Sequence, residues 1–276
     1  MQASPTPTSK TKVIDGIICH ALDQSALSNP DYPPEGLEKL AAAESQHFWF
    51  KTRRQLICNT FEARLPRRSR VLEVGAGTGF VARGLQDAGY DVVVGEYYLS
   101  GLRFARAKGI EECHQMDIFS PPFTGDFDAI GLFDVIEHFE HDTQALKNCM
   151  HMLKPGGYLF ATVPAHNWLW NRGDRIAGHK RRYNKTTLIS ITISAGFEVI
   201  EARYFFLCIL PLLALRAVIA PDHDGPATAT ERALDIRINP TINSILERII
   251  NWENRSLKLL PNIAGGSLLL VARKPE

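Results

Sequence analysis

The chain has no C-x-x-C pair, and its five cysteines, Cys19, Cys58, Cys113, Cys149 and Cys208, are scattered over 276 residues. An odd, dispersed set supports neither a disulfide framework nor a zinc site and points to a reducing compartment. Charge of one sign is missing too. A formal net charge of +1 argues against nucleic-acid binding through bulk charge. No clean apolar run is long enough to cross a bilayer. The longest, Tyr204 to Ala220, contains Pro211 and carries Arg216 near its end, where about 20 uninterrupted residues are needed. The Ser/Thr/Pro-rich stretch from Met1 to Lys12 leads into an apolar segment broken by Asp15 and Gly16, so no secretory signal is expected. Internal repeats are absent. What remains, 45% hydrophobic and 22% charged residues, is the composition of a globular chain able to bury a core.

From Arg70 to Arg203, short β-branched runs alternate with helix-length segments, the pattern of a doubly wound parallel sheet. The runs predict strands over Arg70 to Val74, Asp91 to Gly95, Glu112 to Met116, Phe127 to Phe133, Gly157 to Val163 and Phe197 to Arg203. A last strand is expected over Ser267 to Arg273. Lys154-Pro155-Gly156-Gly157 reads as a turn, because proline cannot continue a helix and the glycines admit positive φ. Leu37 to Leu65 reads as helical. After Pro240, Ile242, Ile245, Leu246, Ile249 and Ile250 fall on one helical face at i, i+3, i+4, i+7 and i+8. The expected organisation is an N-terminal tail and loop (1–35), a helical cap (36–65), an α/β core (66–203 with 264–276) and an apolar helical insertion (204–263).

The strongest local signal is Val71-Leu72-Glu73-Val74-Gly75-Ala76-Gly77-Thr78-Gly79, a strand entering a glycine-rich turn that opens a helix. Its G-x-G-x-G spacing differs from the G-x-G-x-x-G of dinucleotide folds. Glu73, two residues before the first glycine, would repel a pyrophosphate but suits an ammonium or sulfonium group. Glu96 follows Gly79 by 17 residues at the next strand end, where a carboxylate can accept from both ribose hydroxyls. Asp117 ends the third strand, placed to accept from an adenine amino group. Singly, each acid could be a solvated surface carboxylate. Three of them at three strand ends favour a nucleoside ligand.

Together with Phe127-Asp128-Ala129-Ile130 and Leu153-Lys154-Pro155-Gly156-Gly157, these motifs resemble the ordered series of class I S-adenosylmethionine-dependent methyltransferases. The resemblance covers Arg70 to Arg203. The segments Glu44 to Arg54 and Val163 to Tyr183 resemble a bacterial small-molecule branch of that family. It implies a Rossmann-like, seven-stranded, mostly parallel sheet with an antiparallel last strand, and S-adenosyl-L-methionine lying across the strand ends. It further implies Gly75, Gly77, Gly79 and Glu73 around the methionine part, Glu96 on the ribose, Tyr97 packed on the adenine, and Asp117 with Ile118 at the adenine edge. Phe133 and Asp134 would lie beneath the transferring methyl, and Phe48, Trp49 and Arg54 of the cap would close over the cofactor.

Methyl transfer from a sulfonium depends mainly on positioning and exclusion of water, and a hydroxyl nucleophile adds the need for a base. His138 is the first candidate, with His179 and Tyr183 beside it and His166 nearby; imidazole titrates close to neutral pH. Glu137 and His138 could equally serve to orient loops. No metal is assigned; the alternative is a divalent ion at Asp134, Glu137, His138 and His179, which resemble the acid-x-x-Glu-His pattern of ubiquinone-pathway O-methyltransferases and small-RNA 2′-O-methyltransferases. Arg172, Arg175, His179, Lys180, Arg181 and Arg182, with Trp168 and Trp170 close by, read either as a solvated face or as a seat for an anionic substrate or lipid headgroup. The expected function is methyl transfer to an O, N or C nucleophile of a small, partly apolar acceptor, without nucleic acid. A non-catalytic nucleotide-binding scaffold and an NAD-dependent oxidoreductase are the competing classes. The expected location is cytoplasmic, with the apolar insertion open to a second subunit, a lipid-like acceptor or the inner face of a membrane.

Overall fold

A computed structural model describes residues 11–20, 34–223, 225 and 238–276. Its centre is a sheet of nine strands among the described residues: β1 (Lys12–Ile14), β2 (Ile17–Cys19), β3 (Arg70–Val74), β4 (Asp91–Glu96), β5 (Glu112–Gln115), β6 (Phe127–Phe133), β7 (Leu153–Pro164), β8 (Glu198–Phe205) and β9 (Ser267–Arg273). The order across the sheet is β1-β2-β5-β4-β3-β6-β7-β9-β8. Strands β2 to β7 pair in parallel, and β9 lies antiparallel between β7 and β8. The seven expected strands are therefore joined by two more, which form an edge hairpin inside the stretch expected to be tail and loop. Its turn is Asp15-Gly16, both with positive φ (53° and 75°), a dipeptide that suits the tight turn between twisted strands. The same two residues that broke the apolar run make the hairpin.

The pleat sorts the core. Val71, Val92, Val94 and Ala129 point to one face of the sheet, and Leu72, Val93, Ile130 and Leu132 to the other, each set at the heart of its own buried cluster. The cap is two helices rather than one, α1 (Pro34–Glu44) and α2 (Phe48–Glu62), with the His47 side chain accepting from the Trp49 N–H at the start of the second. On α2, Phe61 is fully buried and stacks on Phe160 of β7 at 3.8 Å between ring centroids. The Lys154 to Gly157 turn lies within β7, where the pairing jumps from Phe127–Leu153 to Ala129–Tyr158. Helices α3 (Phe80–Asp87), α4 (Leu99–Ala107), α5 (Asp142–Met152), α6 (Arg172–Ile176) and α7 (Lys185–Ser194) fill the connections.

Between β8 and β9 stand α8 (Leu210–Ile219) and α9 (Pro240–Ser256). Their inward side chains, with Phe205, Phe206 and Leu269, form a third cluster against Phe48, Trp49 and Leu56 of α2. The apolar face expected on α9 is split. Ile250 is fully buried and Leu246 partly, whereas Ile242, Ile245 and Ile249 are exposed.

The edge hairpin is tied to β5 by a polar relay. The Nε2 of His20 lies 2.9 Å from Nδ1 of His114, whose Nε2 lies 3.2 Å from Glu112, which also accepts from Arg70 at 2.7 Å. The bonds from His114 and Arg70 hold the Glu112 carboxyl down at about 2. Burial, then the neighbouring His114, pushes His20 down to about 4. A histidine whose folded value lies below its unfolded value of about 6.5 costs stability as pH falls from about 6.5 toward 4. Hydrogen-exchange protection of residues 17–20 should therefore drop roughly threefold or more between pH 7 and pH 5, relative to β3. An equal change in both strands would contradict this.

Candidate functional site

The glycine turn after β3 holds three left-handed residues, Gly75, Gly77 and Gly79. They are not equivalent. A side chain at Gly75 would strike Val135 and one at Gly79 would strike Ala105, while Gly77 faces open space. Gly77 is thus where a ligand can approach the backbone. Helix α4 comes close only because residue 101 is glycine, since a Cβ there would lie 2.5 Å from the Gly77 carbonyl oxygen.

Glu96, at the end of β4, organises this turn. Its carboxylate accepts from the N–H of Gly77 (2.9 Å), Tyr97 (2.7 Å) and Tyr98 (3.0 Å). Burial raises its pKa against those three bonds. A carboxylate offers about four acceptor positions, so one remains for a ligand hydroxyl, and a second hydroxyl requires one backbone N–H to be shared. Tyr97 and Tyr98 stand edge to face beside it, their rings 5.3 Å apart. Past the end of β5, Asp117 is half-buried with one oxygen accepting from Phe119 N, whereas the Ile118 side chain is buried in the core and can offer only backbone.

The cap meets the turn through two residues that the sequence reading passed over. Glu44, buried at the end of α1, accepts from the Thr78 hydroxyl and lies 3.4 Å from Lys108, which also donates to the Thr78 carbonyl. Arg53 of α2 pairs with Asp134 and lies in the field of Glu73, Glu137 and Glu44. Arg54 needs correcting: its guanidinium stacks over the Phe80 ring at 4.1 Å. Arg53 shares the inward face of α2 with Leu56, Ile57 and Thr60 at i+3, i+4 and i+7, and that spacing is the signal that distinguishes the two arginines. Phe48 and Trp49 also pack elsewhere than expected, against the insertion, with Trp49 4.1 Å from Phe206. The Phe133 ring is turned into the core against Phe61.

Two acids here are buried and short of partners. Burial pushes Glu73 up to about 8 against the pull of Arg53, and its Oε2 has no hydrogen bond. Glu137, in the turn after β6, is fully buried, likewise pushed up to about 8 by burial, and neither oxygen is hydrogen-bonded. His138 and His179 stand edge to face 4.9 Å apart, and one ligand atom from each lies with Glu137 inside a 4.8 Å group. Asp174 accepts from Nδ1 of His179 at 2.8 Å and so leaves Nε2 facing Glu137. Burial, then the charge of His179, pushes His138 down to about 4, so it is neutral at pH 7. Asp134 stands apart from this group, held by Arg53 and the Thr162 hydroxyl with a positive φ of 58°.

Tyr183 is a second correction. Its ring is buried in the core and its hydroxyl donates to Asp142 at 2.8 Å, which removes it from the reacting side. The cations of the basic stretch are paired with nearby acids and carbonyls. Arg172 donates to the carbonyls of His223 and Gly225, Arg175 grips Asp222, Arg181 reaches Asp142 and Glu140, Arg182 grips Asp174, and Lys180 lies 3.6 Å from Glu140. Lys180 and Arg181 also line a cavity of about 280 Å³ with Asn167 and Trp170.

Comparison with known proteins agrees with this geometry. The methyltransferase-domain profile matches residues 41–202, more than half of the chain, and the chain belongs to that family, the class I S-adenosylmethionine-dependent methyltransferases. A ubiquinone biosynthesis O-methyltransferase of Xanthomonas oryzae pv. oryzae is 31% identical over 102 residues, 34% of this chain. The chain spans only 43% of that relative's length. A probable S-adenosylmethionine-dependent methyltransferase of Mycolicibacterium smegmatis is 26% identical over 171 residues, covering 60% of this chain and 66% of that one. Among solved structures, phosphoethanolamine N-methyltransferase 2 of Haemonchus contortus, in complex with S-adenosyl-L-methionine, superposes with a TM-score of 0.60 at 18% identity over 92% of this chain and 60% of that one. The [4+2]-cyclase SpnF superposes at 0.53 and 21% identity, covering 79% and 80% of the two chains. At these identities the structures establish the fold alone, and the cyclase illustrates that one fold hosts more than one chemistry.

The buried acids depend on one arginine. Removing one partner of a buried ion pair costs about 3–5 kcal/mol, whereas an exposed cation–π contact is worth about 0.5–1 kcal/mol. Arg53→Met should therefore lower unfolding stability in urea by about 3 kcal/mol and Arg54→Met by less than about 1 kcal/mol. Equal losses would contradict the assignment of Arg53.

Proposed function

We propose that the chain transfers a methyl group from S-adenosylmethionine to an oxygen nucleophile of a small, partly apolar molecule. The observation that carries this is the open backbone at Gly77 with the Glu96 carboxylate fixed directly beneath it. An orphaned Glu73 oxygen on the same turn is a fitting partner for the cofactor's positively charged end. On this reading Gly77 and Glu73 face the methionine part, Glu96 takes a ribose hydroxyl, Tyr97 covers the base, and Asp117 with the Ile118 backbone meets its edge. Gly75 and Gly79 give the turn its shape. The bound cofactor supplies an electrophilic methyl on a sulfonium. The chain's own part is to hold the acceptor oxygen in line, exclude water and remove a proton.

His138 is the group placed to receive that proton; burial keeps it neutral but also lowers its basicity, so it would accept only as the forming O–CH3 bond acidifies the hydroxyl. The cofactor's sulfur would keep the carbon–sulfur bonding pair when the acceptor oxygen takes the methyl group. The hydroxyl proton passes to His138. The relatives named O-methyltransferases support an oxygen acceptor.

A second reading is favoured by the two unpartnered Glu137 oxygens. A divalent cation held by Glu137, His138 and His179 would satisfy them, with Asp174 orienting His179 behind it. Such an ion would lower the pKa of an acceptor hydroxyl and make a protein base unnecessary. Asp134 is not part of this set.

Hydrogen bonds to a charged group are worth about 1.5–3 kcal/mol, so Glu96→Ala should weaken S-adenosylhomocysteine binding by at least about tenfold in calorimetry. Unchanged affinity in a folded variant would overturn the assignment, and tight binding of NAD would favour an oxidoreductase. Binding of S-adenosylhomocysteine without methyl transfer to any phenolic or amine acceptor would identify a scaffold. After exhaustive chelation, loss of activity restored by Mg2+, Mn2+ or Zn2+ supports the cation. Full activity leaves His138 as the base.

A further inference from the structure

Large apolar side chains are exposed unevenly over the molecule. Among the described residues, ten of the sixteen lie between residues 206 and 266. Helix α8 has the sequence Leu-Pro-Leu-Leu-Ala-Leu-Arg-Ala-Val-Ile, yet none of its residues is buried, and Leu215, Val218 and Ile219 face outward. On α9, Ile242, Ile245, Ile249 and Trp252 recur every three or four residues as one exposed stripe, with Trp252 56% exposed. This stripe is separate from the face that holds α9 in place. There Ile250 is buried, Asn243 bonds to both Phe48 N and Gln46 O, and Asn254 donates to the Thr52 carbonyl.

The charges beside the stripe identify what meets it. Arg248 lies three residues after Ile245 and four before Trp252, and Arg255 lies three after Trp252, so both border the stripe on the helix surface. Lys258 follows, next to Leu259, which is 88% exposed. The acids of α9 face inward or are neutralised. Glu253 is fully buried, accepting from the N–H of Leu207 and Cys208, and Glu247 is paired with Lys51. The solvent-facing charge of this helix is therefore of one sign. A second copy placed face to face across a two-fold axis would set the cations Arg248, Arg255 and Lys258 against one another. A surface that is negative and apolar just beneath fits both features, and the amphipathic ring of Trp252 suits the boundary between them. No helix among the described residues is long and apolar enough to cross a membrane, so the contact lies in the plane of the surface.

We infer that the exposed stripe of α9 docks the protein onto an anionic phospholipid surface. The contact is independent of the acceptor and the chemistry proposed above. Flotation of the full chain with vesicles of phosphatidylcholine containing phosphatidylglycerol, compared with pure phosphatidylcholine, tests it without reference to activity. Binding to the anionic vesicles should be at least about tenfold stronger than to the neutral ones, and it should weaken with salt. Arg248→Glu with Arg255→Glu should reduce it by about tenfold or more, as should Ile249→Asp, with the melting temperature of each variant showing that it folds. Wild-type protein that stays in solution with anionic vesicles would overturn the proposal. Flotation equal for wild type and all variants would overturn it as well. A dimer in sedimentation velocity that Ile249→Asp dissociates, with no vesicle binding, would assign the face to self-association instead.

Discussion

Arg53 is the counter-charge around which the ligand end of the sheet is assembled. Glu73, Asp134 and Glu137 arrive from the ends of β3 and β6, and Glu44 from α1, so that four carboxylates converge where little water can reach them. Such a cluster would drive the strand ends apart if all four were ionised. One guanidinium, fixed always in its charged form, makes the convergence tolerable. Burial completes the solution, because Glu73 and Glu137 are both pushed up to about 8 and give up part of their charge. The position of α2 follows, since the helix must carry Arg53 to this point while Phe61 stacks on Phe160 a little over two turns further along.

The sheet and the glycine turn were legible because they depend on short-range rules. β-branched runs, Gly75 to Gly79 and the acids at strand ends are each read within ten residues. The edge hairpin is hidden although Asp15-Gly16 is a strong hairpin signal, because the same dipeptide also interrupts an apolar run placed like a targeting segment. Arg53 and Arg54 show a different limit. They are neighbours in sequence but about 100° apart around the helix, so naming the wrong one exchanges a buried ion pair for a half-buried stack on Phe80. Tyr183 and the stretch from Arg172 to Arg182 show a third. A composition count finds the cations, but only the tertiary structure brings Asp142, Asp174 and Asp222 to them.

Neutralisation of that stretch changes how it compares with the insertion. Residues that look basic in the sequence are spent on holding the segment after β7, with Asp174 gathering Arg182 through both carboxylate oxygens and His179 through Oδ1. Residues that look unremarkable, Arg248, Arg255 and Lys258, keep their charge directed to solvent. The electrostatic character of a surface is set by which cations lack an acid within reach, and this cannot be counted along the chain.

The antiparallel placement of β9 beside β8 has an entropic consequence. Phe205 and Ser267 are a ladder pair, so the roughly 60 residues between them leave and re-enter the sheet at one rung. The free energy of closing such a loop grows only with the logarithm of its length, about 0.6 kcal/mol for each doubling. The sheet is therefore nearly indifferent to how much chain is spliced in at that rung. Its length and composition are free to vary according to what the segment must touch, while the strands on either side keep the same hydrogen bonds.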